Sequence, residues 1–361
     1  MRLKESEMIE LLQREPNKFT PLSIKNIEWT TSSSKDIGAD AFIDFCIEDG
    51  PCFKALVEIK NVATPKNINL TINQLSIVIN RLNDKEVIPL IIVPYMRREQ
   101  TNKLQQIGIS WIDLCGNMMI KVDGKIYIER TGKTNQFPDT AYIKKIFEGT
   151  SSLVSRALLL KKEIFRSFYE IVDFINRRGG NITLGTVSKV ISSLEEELLI
   201  TKTESGIIVN NREKLLEKLL EGYSDYAKRN KNKTYTFAVD AISMLYENIF
   251  RKEKIDYALC GFSAAKYKEL ATTDRISVFI KSINEVRKAF EREQAIIRPD
   301  AEFGLLDFIE TKNPCVWFNL QVKPEYSIVD DIELYLEMMI DTPRGPKVAE
   351  MLKERILKGQ I

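Results

Sequence analysis

The spacing of apolar positions changes period several times along the chain, and each change marks an element. Glu5 to Arg14 reads as a short amphipathic helix. Gly38 to Lys60 holds two strand-like runs, Ala41 to Phe45 and Ala55 to Ile59, around a polar turn, which predicts a β-hairpin. From Asn67 to Asn83 the residues Leu70, Leu75, Val78, Ile79 and Leu82 return to helical spacing. Val87 to Pro94 is almost continuously apolar, as expected of a strand buried on both faces. Arg97 to Gln106 predicts another helix, stopped by Gly108. Ile109 to Leu114 and Met118 to Ile128 supply further strands, the second turning at Asp123-Gly124. The order helix, hairpin, helix, strand, helix, strand predicts an α/β domain over residues 1–133.

The pattern then becomes helical. Ser151 to Lys162, Phe165 to Asn176 and Leu184 to Glu197 predict three helices, the last two joined by Arg178-Gly179-Gly180-Asn181. Leu199 to Lys202 and Gly206 to Val209 predict a small hairpin around Glu204-Ser205. Three helices followed by a two-stranded wing predict a winged helix-turn-helix over residues 134–225. Residues 235–361 mix strand-like runs (Ile276 to Ile280, Ala295 to Arg298, Cys315 to Leu320) with helices at Ile332 to Met339 and Lys347 to Leu357, an α+β domain.

Composition narrows the chemistry. A chain of 361 residues with 44% apolar and 29% charged residues suits a globular protein of two or three domains. Met1 to Glu7 lacks the apolar core of a signal peptide, and no apolar run approaches a membrane span, so a cytoplasmic location without membrane contact is expected. The five cysteines, odd in number and without metal-ligand spacing, are expected to act as core hydrophobes in a reducing compartment. The chain has no histidine. That excludes histidine general bases, Ser-His-Asp triads and histidine metal sites. A net charge of +2 announces no nucleic-acid partner by itself, but basic residues concentrate between Lys161 and Lys233.

The hairpin carries the strongest candidate chemistry. Side chains alternate along a strand, so Asp40 and Asp44 share one face of the first strand, and Glu58 and Lys60 share one face of the second. Two carboxylates beside an ammonium can hold a divalent metal next to a water. Gly38-Ala39-Asp40-Ala41-Phe42-Ile43, with Glu58-Ile59-Lys60 on the next strand, resembles the PD-(D/E)xK, or restriction-endonuclease-like, nuclease superfamily over roughly the first 130 residues. The resemblance implies a catalytic set of Asp40 (or Asp44), Glu58 and Lys60, with Asp40 and Glu58 as metal ligands. Gln74 on the following helix suits a further position, and Glu7 or Glu10 fits the acidic residue often found on the first helix. It implies Mg²⁺ or Mn²⁺ as cofactor and double-stranded DNA as substrate.

The second signal lies in Ile182 to Ile200. Leu184, Val187, Val190, Ile191 and Leu194 form an apolar stripe, leaving Thr183, Thr186, Ser188, Lys189 and Ser192 facing outward to contact phosphates and base edges. Lys202 on the wing can touch an adjacent DNA backbone. Gly185-Thr186-Val187-Ser188-Lys189-Val190 resembles the winged helices of bacterial transcription regulators. Ile109-Ser110-Trp111-Ile112-Asp113-Leu114-Cys115-Gly116-Asn117, with Leu259 to Ala265 and Tyr335 to Met339, is similar to runs in proteins related to AbiEi, the antitoxin and autorepressor of type IV toxin–antitoxin systems. For Asp113, Gly116 and Asn117, a strand-and-turn role and a ligand site both remain open. Ser263 and Lys266 read as helix surface. Two functions follow: a Mg²⁺-dependent DNA endonuclease acting in defence, or a regulator or antitoxin with a non-catalytic nuclease-like domain. A toxin or defence-system partner and a homodimer are compatible with both, and an enzyme acting on nucleotides or RNA is a third reading.

Overall fold

The computed structural model describes residues 3–30, 38–84, 86–137, 144–239, 250, 252–292, 297–298, 305–323, 326–340 and 344–359. The chain forms two compact units, Met1–Tyr142 with Glu196–Leu198, and Ile143–Glu195 with Leu199–Ile361. Among the described residues no helix is long and apolar enough to cross a membrane.

The first unit is a mixed α/β fold. Helices α1 (Glu5–Arg14) and α2 (Pro16–Phe19) lead into strands β1 (Leu22–Trp29), β2 (Ala41–Ile47) and β3 (Cys52–Ile59). Helix α3 (Pro65–Leu82) connects to β4 (Val87–Val93), α4 (Arg98–Ile107) to β5 (Ser110–Asp113), and β6 (Met118–Val122) and β7 (Ile126–Arg130) follow. The seven strands lie in sequence order, with β3, β4 and β5 parallel and the other pairs antiparallel. Parallel neighbours need a long crossover connection, and α3 and α4 supply it. One sheet face packs Ala41, Ile43, Phe45, Val57 and Ile59 against Met8, Ile9 and Leu12 of α1. The other packs Leu56, Ile91, Val93 and Trp111 with Leu75 and Val78 of α3 and Leu104 of α4.

Strand β1 departs from the sequence expectation, which passed over it. Its register against β2 slips between Ile24 and Asn26. A bulge inserts one residue, so the alternation that begins at Leu22 and Ile24 resumes out of phase at Ile27. Cys46 and Cys52 also depart from expectation. They oppose each other across the β2–β3 pair and form a disulfide, while Cys115, Cys260 and Cys315 are free and buried.

The second unit begins with α5 (Ser152–Leu160), α6 (Phe168–Asn176) and α7 (Leu184–Glu196), then the hairpin β8 (Ile200–Thr203) and β9 (Gly206–Val209), as expected. The Ile207 N–H donates to the Phe165 carbonyl at 2.9 Å, bracing the hairpin. Gly206 sits there at φ 137°, and a Cβ would lie 2.4 Å from that same carbonyl oxygen, so no larger residue fits. After α8 (Arg212–Arg229) come β10 (Lys233–Val239), β11 (Tyr257–Leu259), α9 (Gly261–Tyr267), β12 (Ile276–Ile280), α10 (Ile283–Arg292), β13 (Ile297–Arg298) and β14 (Leu305–Glu310). Strands β15 (Gln321–Val322) and β16 (Ser327–Ile328) and helices α11 (Asp331–Ile340) and α12 (Gly345–Lys358) complete the described elements. The strands form a mixed sheet in the order β13-β10-β14-β12-β11-β16-β15. The three-helix segment and this sheet share one hydrophobic core.

The strand expected at Cys315 to Leu320 is instead a 3₁₀ turn at Pro314–Trp317, because Asn313 caps it by accepting from the Cys315 N–H at 3.1 Å. Of the strand expected at Ala295 to Arg298, residues 295–296 lie outside the described residues. Ser263 is buried rather than on the surface, donating to the Arg275 carbonyl and accepting from Ser277 N–H at 2.7 Å.

Candidate active site

Strand β3 ends by delivering Glu58 and Lys60 to the carboxyl edge of the parallel strands, beside the start of β2. Glu58 is 3% exposed, and the Lys60 ammonium, 28% exposed, donates to its Oε1 at 2.5 Å. The Lys60 main chain is fixed in turn by its N–H bond to the Ile92 carbonyl at 2.9 Å. Asp40 precedes the last registered β2–β3 pair, Ala41 with Val57, and its Oδ2 accepts from the Ile59 N–H at 2.7 Å. The Asp40 side chain thus crosses from one strand onto the other between the two Glu-x-Lys residues.

The second oxygen of Glu58, Oε2, is buried and has no hydrogen-bond partner. Gln74 on α3 lies close enough to favour the ionised Glu58 carboxyl, and one N–H of its amide donates to the Gly38 carbonyl at 2.6 Å. Burial pushes the Glu58 carboxyl above its ordinary value. The Lys60 hydrogen bond pulls it back, and the Asp40 charge pushes it up again.

On α1 it is Glu5, rather than the expected Glu7 or Glu10, that lies within electrostatic reach of Asp40 and Lys60. Glu7 caps α1 by accepting from the Lys4 N–H at 2.7 Å, and Glu10 pairs with Arg14 at 3.2 Å. The Glu5 carboxyl is raised by burial and then by Asp40, with Lys60 opposing. Asn61 anchors the start of this helix, donating to the Leu3 carbonyl at 3.2 Å. Periodicity alone did not single out Glu5, because the first residue of a helix carries no facing information. Asp44 lies outside the cluster: it pairs with Lys54 in the β2–β3 register, about 13 Å along the strand from Asp40, and accepts from Asn26.

The donor set consists of hard carboxylate oxygens with one orphaned buried lone pair, which suits an oxygen-seeking divalent cation that keeps several waters. Among the described residues no three His, Cys, Asp or Glu side chains stand in metal-ligand geometry.

In the second unit, α7 buries Val187, Val190, Ile191 and Leu194, while Leu184 is only half-buried. Lys189 and Ser192 are exposed, and Thr186 and Ser188 half-buried. The Thr183 hydroxyl caps α7 by accepting from the Thr186 N–H at 3.3 Å, and the two threonine hydroxyls bond each other at 3.0 Å. Lys202 on the hairpin pairs with Glu195 at 2.5 Å, which offsets the charge expected to face DNA.

Asp113 is a structural clamp. Its Oδ1 accepts from the Cys115 and Asn117 N–H groups at 3.0 and 2.9 Å, and its Oδ2 from the Met96 N–H and the Asn117 amide at 3.2 and 2.8 Å. No family model, curated protein or solved structure matches the chain.

Proposed function

We propose that this protein is a metal-dependent DNA endonuclease of restriction-endonuclease-like architecture, with the segment from α5 to β9 serving as a winged helix-turn-helix that positions DNA. The observation that carries this reading is the meeting of Asp40, Glu58 and Lys60 at the carboxyl edge of parallel strands, with the Glu58 Oε2 buried and unpartnered. Asp40 and Glu58 would hold Mg²⁺ or Mn²⁺. When bound, the ion supplies an acidified water and offsets charge on the scissile phosphate.

The residues present supply the rest. Lys60 holds a positive charge against Glu58 and is exposed enough to reach a phosphate oxygen or a water in line with it. Asp40 is held rigid by the Ile59 N–H, so its free oxygen has a fixed direction. Glu5 adds a third carboxylate that can accept a proton from water. The alternative is a regulator or antitoxin that binds DNA without cutting it. The outward Thr186, Lys189 and Ser192 of α7 serve either reading.

Incubation of the full chain with plasmid and Mg²⁺ or Mn²⁺, beside Glu58→Ala and Lys60→Met, tests the proposal. Wild-type cleavage lost by about 10²-fold or more in both variants is the expected result. If all three leave plasmid intact yet shift a promoter fragment from the protein's own operon, the regulator reading replaces it.

A further inference from the structure

A second polar site lies in the first unit, on the sheet face that carries Glu58. The partners Glu58–Ile91, Ile91–Trp111, Trp111–Met119 and Met119–Glu129 form one row across β3 to β7. Register partners share a face, so Trp111 follows Glu58 two strands away, about 10 Å. Where this row passes beyond α4, it floors a cleft of about 520 Å³ lined by Tyr95, Arg98, Asn102, Trp111, Glu129 and Lys133.

The cleft walls are held in advance by one buried carboxylate. Asp113 fixes the Tyr95–Met96 loop through the Met96 N–H and the Cys115–Asn117 turn through three further bonds. Asn117 passes the restraint on, its Oδ1 accepting from Lys133 N–H at 2.7 Å and its Nδ2 donating to the Lys133 carbonyl at 3.1 Å. Both bonds use the Lys133 main chain and leave its ammonium uninvolved. Arg98 and Lys133 are exposed, and neither side chain has an ion-pair partner among the described residues. Gly116 permits the turn: it sits at φ 93°, and a Cβ would lie 3.2 Å from the Lys18 carbonyl oxygen.

We infer that this cleft binds a nucleotide. Two unpaired cations suit a phosphate. The volume exceeds what phosphate alone fills and falls within the range of small-molecule sites. Asn102 and Glu129 offer donor and acceptor groups for sugar hydroxyls or base edges, and the half-buried Tyr95 ring offers an apolar surface to a base. The nucleotide is either free or one unit of a DNA strand. The strand form rests on the DNA-cleaving reading above, and the free form does not.

The full chain with Trp29→Phe and Trp317→Phe leaves Trp111 as the sole tryptophan and its emission as a local readout. Titration uses deoxyadenosine monophosphate, a short single-stranded oligodeoxynucleotide and inorganic phosphate. Saturable change with either nucleotide probe, weakened at least about tenfold by Arg98→Ala/Lys133→Ala, supports the site. Response to the mononucleotide marks a free-nucleotide site, and response to the oligonucleotide alone marks a strand subsite. No response to either, an equal response to phosphate alone, or unchanged binding in the double variant overturns it. Plasmid cleavage measured in parallel separates the two proposals: an inert cleft in a chain that cuts DNA through Glu58 removes this inference and leaves the function standing.

Discussion

The Lys60 ammonium donates to Oε1 of a Glu58 that is almost fully buried, at 2.5 Å, and the charge state of that carboxyl follows from the pair. Burial raises the Glu58 pKa, and the Lys60 bond is the largest opposing influence. A folded-state pKa above the unfolded value means the folded chain holds the proton longer. The group's stabilising effect is therefore present at low pH and lost as pH rises through the folded value. Glu58→Gln should raise the melting temperature at pH 8, with the gain shrinking toward pH 4. In Lys60→Met the Glu58 titration should move higher still, so Mn²⁺ binding should require a higher pH than in wild type. Thermal scans across pH and Mn²⁺ titrations check both; a stability gain that is largest at pH 4 would contradict the assignment.

Asp113 is fully buried and accepts four hydrogen bonds. Asp113→Ala leaves three main-chain N–H groups without that partner and strips one of two bonds from the Asn117 amide nitrogen, which keeps the Lys133 carbonyl. At roughly 1–3 kcal/mol per unsatisfied buried group, softened by relaxation, a loss of about 3–5 kcal/mol is expected. Urea unfolding at neutral pH measures it, and a loss below about 1 kcal/mol would show that water reaches the turn.

Where hydrophobic alternation was regular, the sequence was readable. Val87 to Val93 and Leu184 to Glu196 formed the strand and helix that their spacing predicts. The bulge at Ile24 and Asn26 hid β1, and the Asn313 side-chain cap turned an apolar run into a 3₁₀ turn. At the candidate site, Asp40, Glu58 and Lys60 lie together at the end of the hairpin, and Gln74, expected only from the resemblance, stands near Glu58. Glu5 and the nucleotide cleft were not legible, because each depends on segments brought together by tertiary packing. The Cys46–Cys52 pairing was equally hidden, since a spacing of six residues bonds only if the hairpin register makes the two direct partners.

Arg156 and Glu333, each 1% exposed, meet at 2.6 Å inside the second unit, where Tyr223 also donates to Glu333 at 3.2 Å. Removing one partner strands the other charge in a low-dielectric interior. Arg156→Met should therefore cost about 3–5 kcal/mol, whereas Arg156→Met/Glu333→Leu should recover much of that loss. Chemical denaturation of both variants gives the comparison; a double variant no more stable than the single would show that the pair contributes through packing instead.

Asp330 starts α11 with its Oδ1 accepting from the Glu333 N–H at 2.7 Å, while its Oδ2 is buried without a partner. Burial raises its carboxyl to about 6, against the opposing Arg156 charge and that hydrogen bond. The folded chain again binds the proton more tightly, so stability from this group is full below about 4 and lost by about 6. Asp330→Asn keeps the capping oxygen and removes the titration. Relative to wild type it should gain up to about 3 kcal/mol between pH 4 and pH 8, from roughly two units at 1.36 kcal/mol each.

Lys189 stands exposed on α7 with the Thr186 and Ser192 hydroxyls on neighbouring turns. If this surface meets DNA, Lys189 neutralises one phosphate and releases its counterion. Lys189→Ala should weaken binding across unrelated sequences alike. It should also lower the slope of log affinity against log salt by about 0.9. Lys202→Ala should change the slope less, because Glu195 already offsets that charge at 2.5 Å. Fluorescence anisotropy on a duplex over a salt series checks both. Equal slopes in wild type and Lys189→Ala would remove α7 from the DNA interface, whatever the hairpin site does.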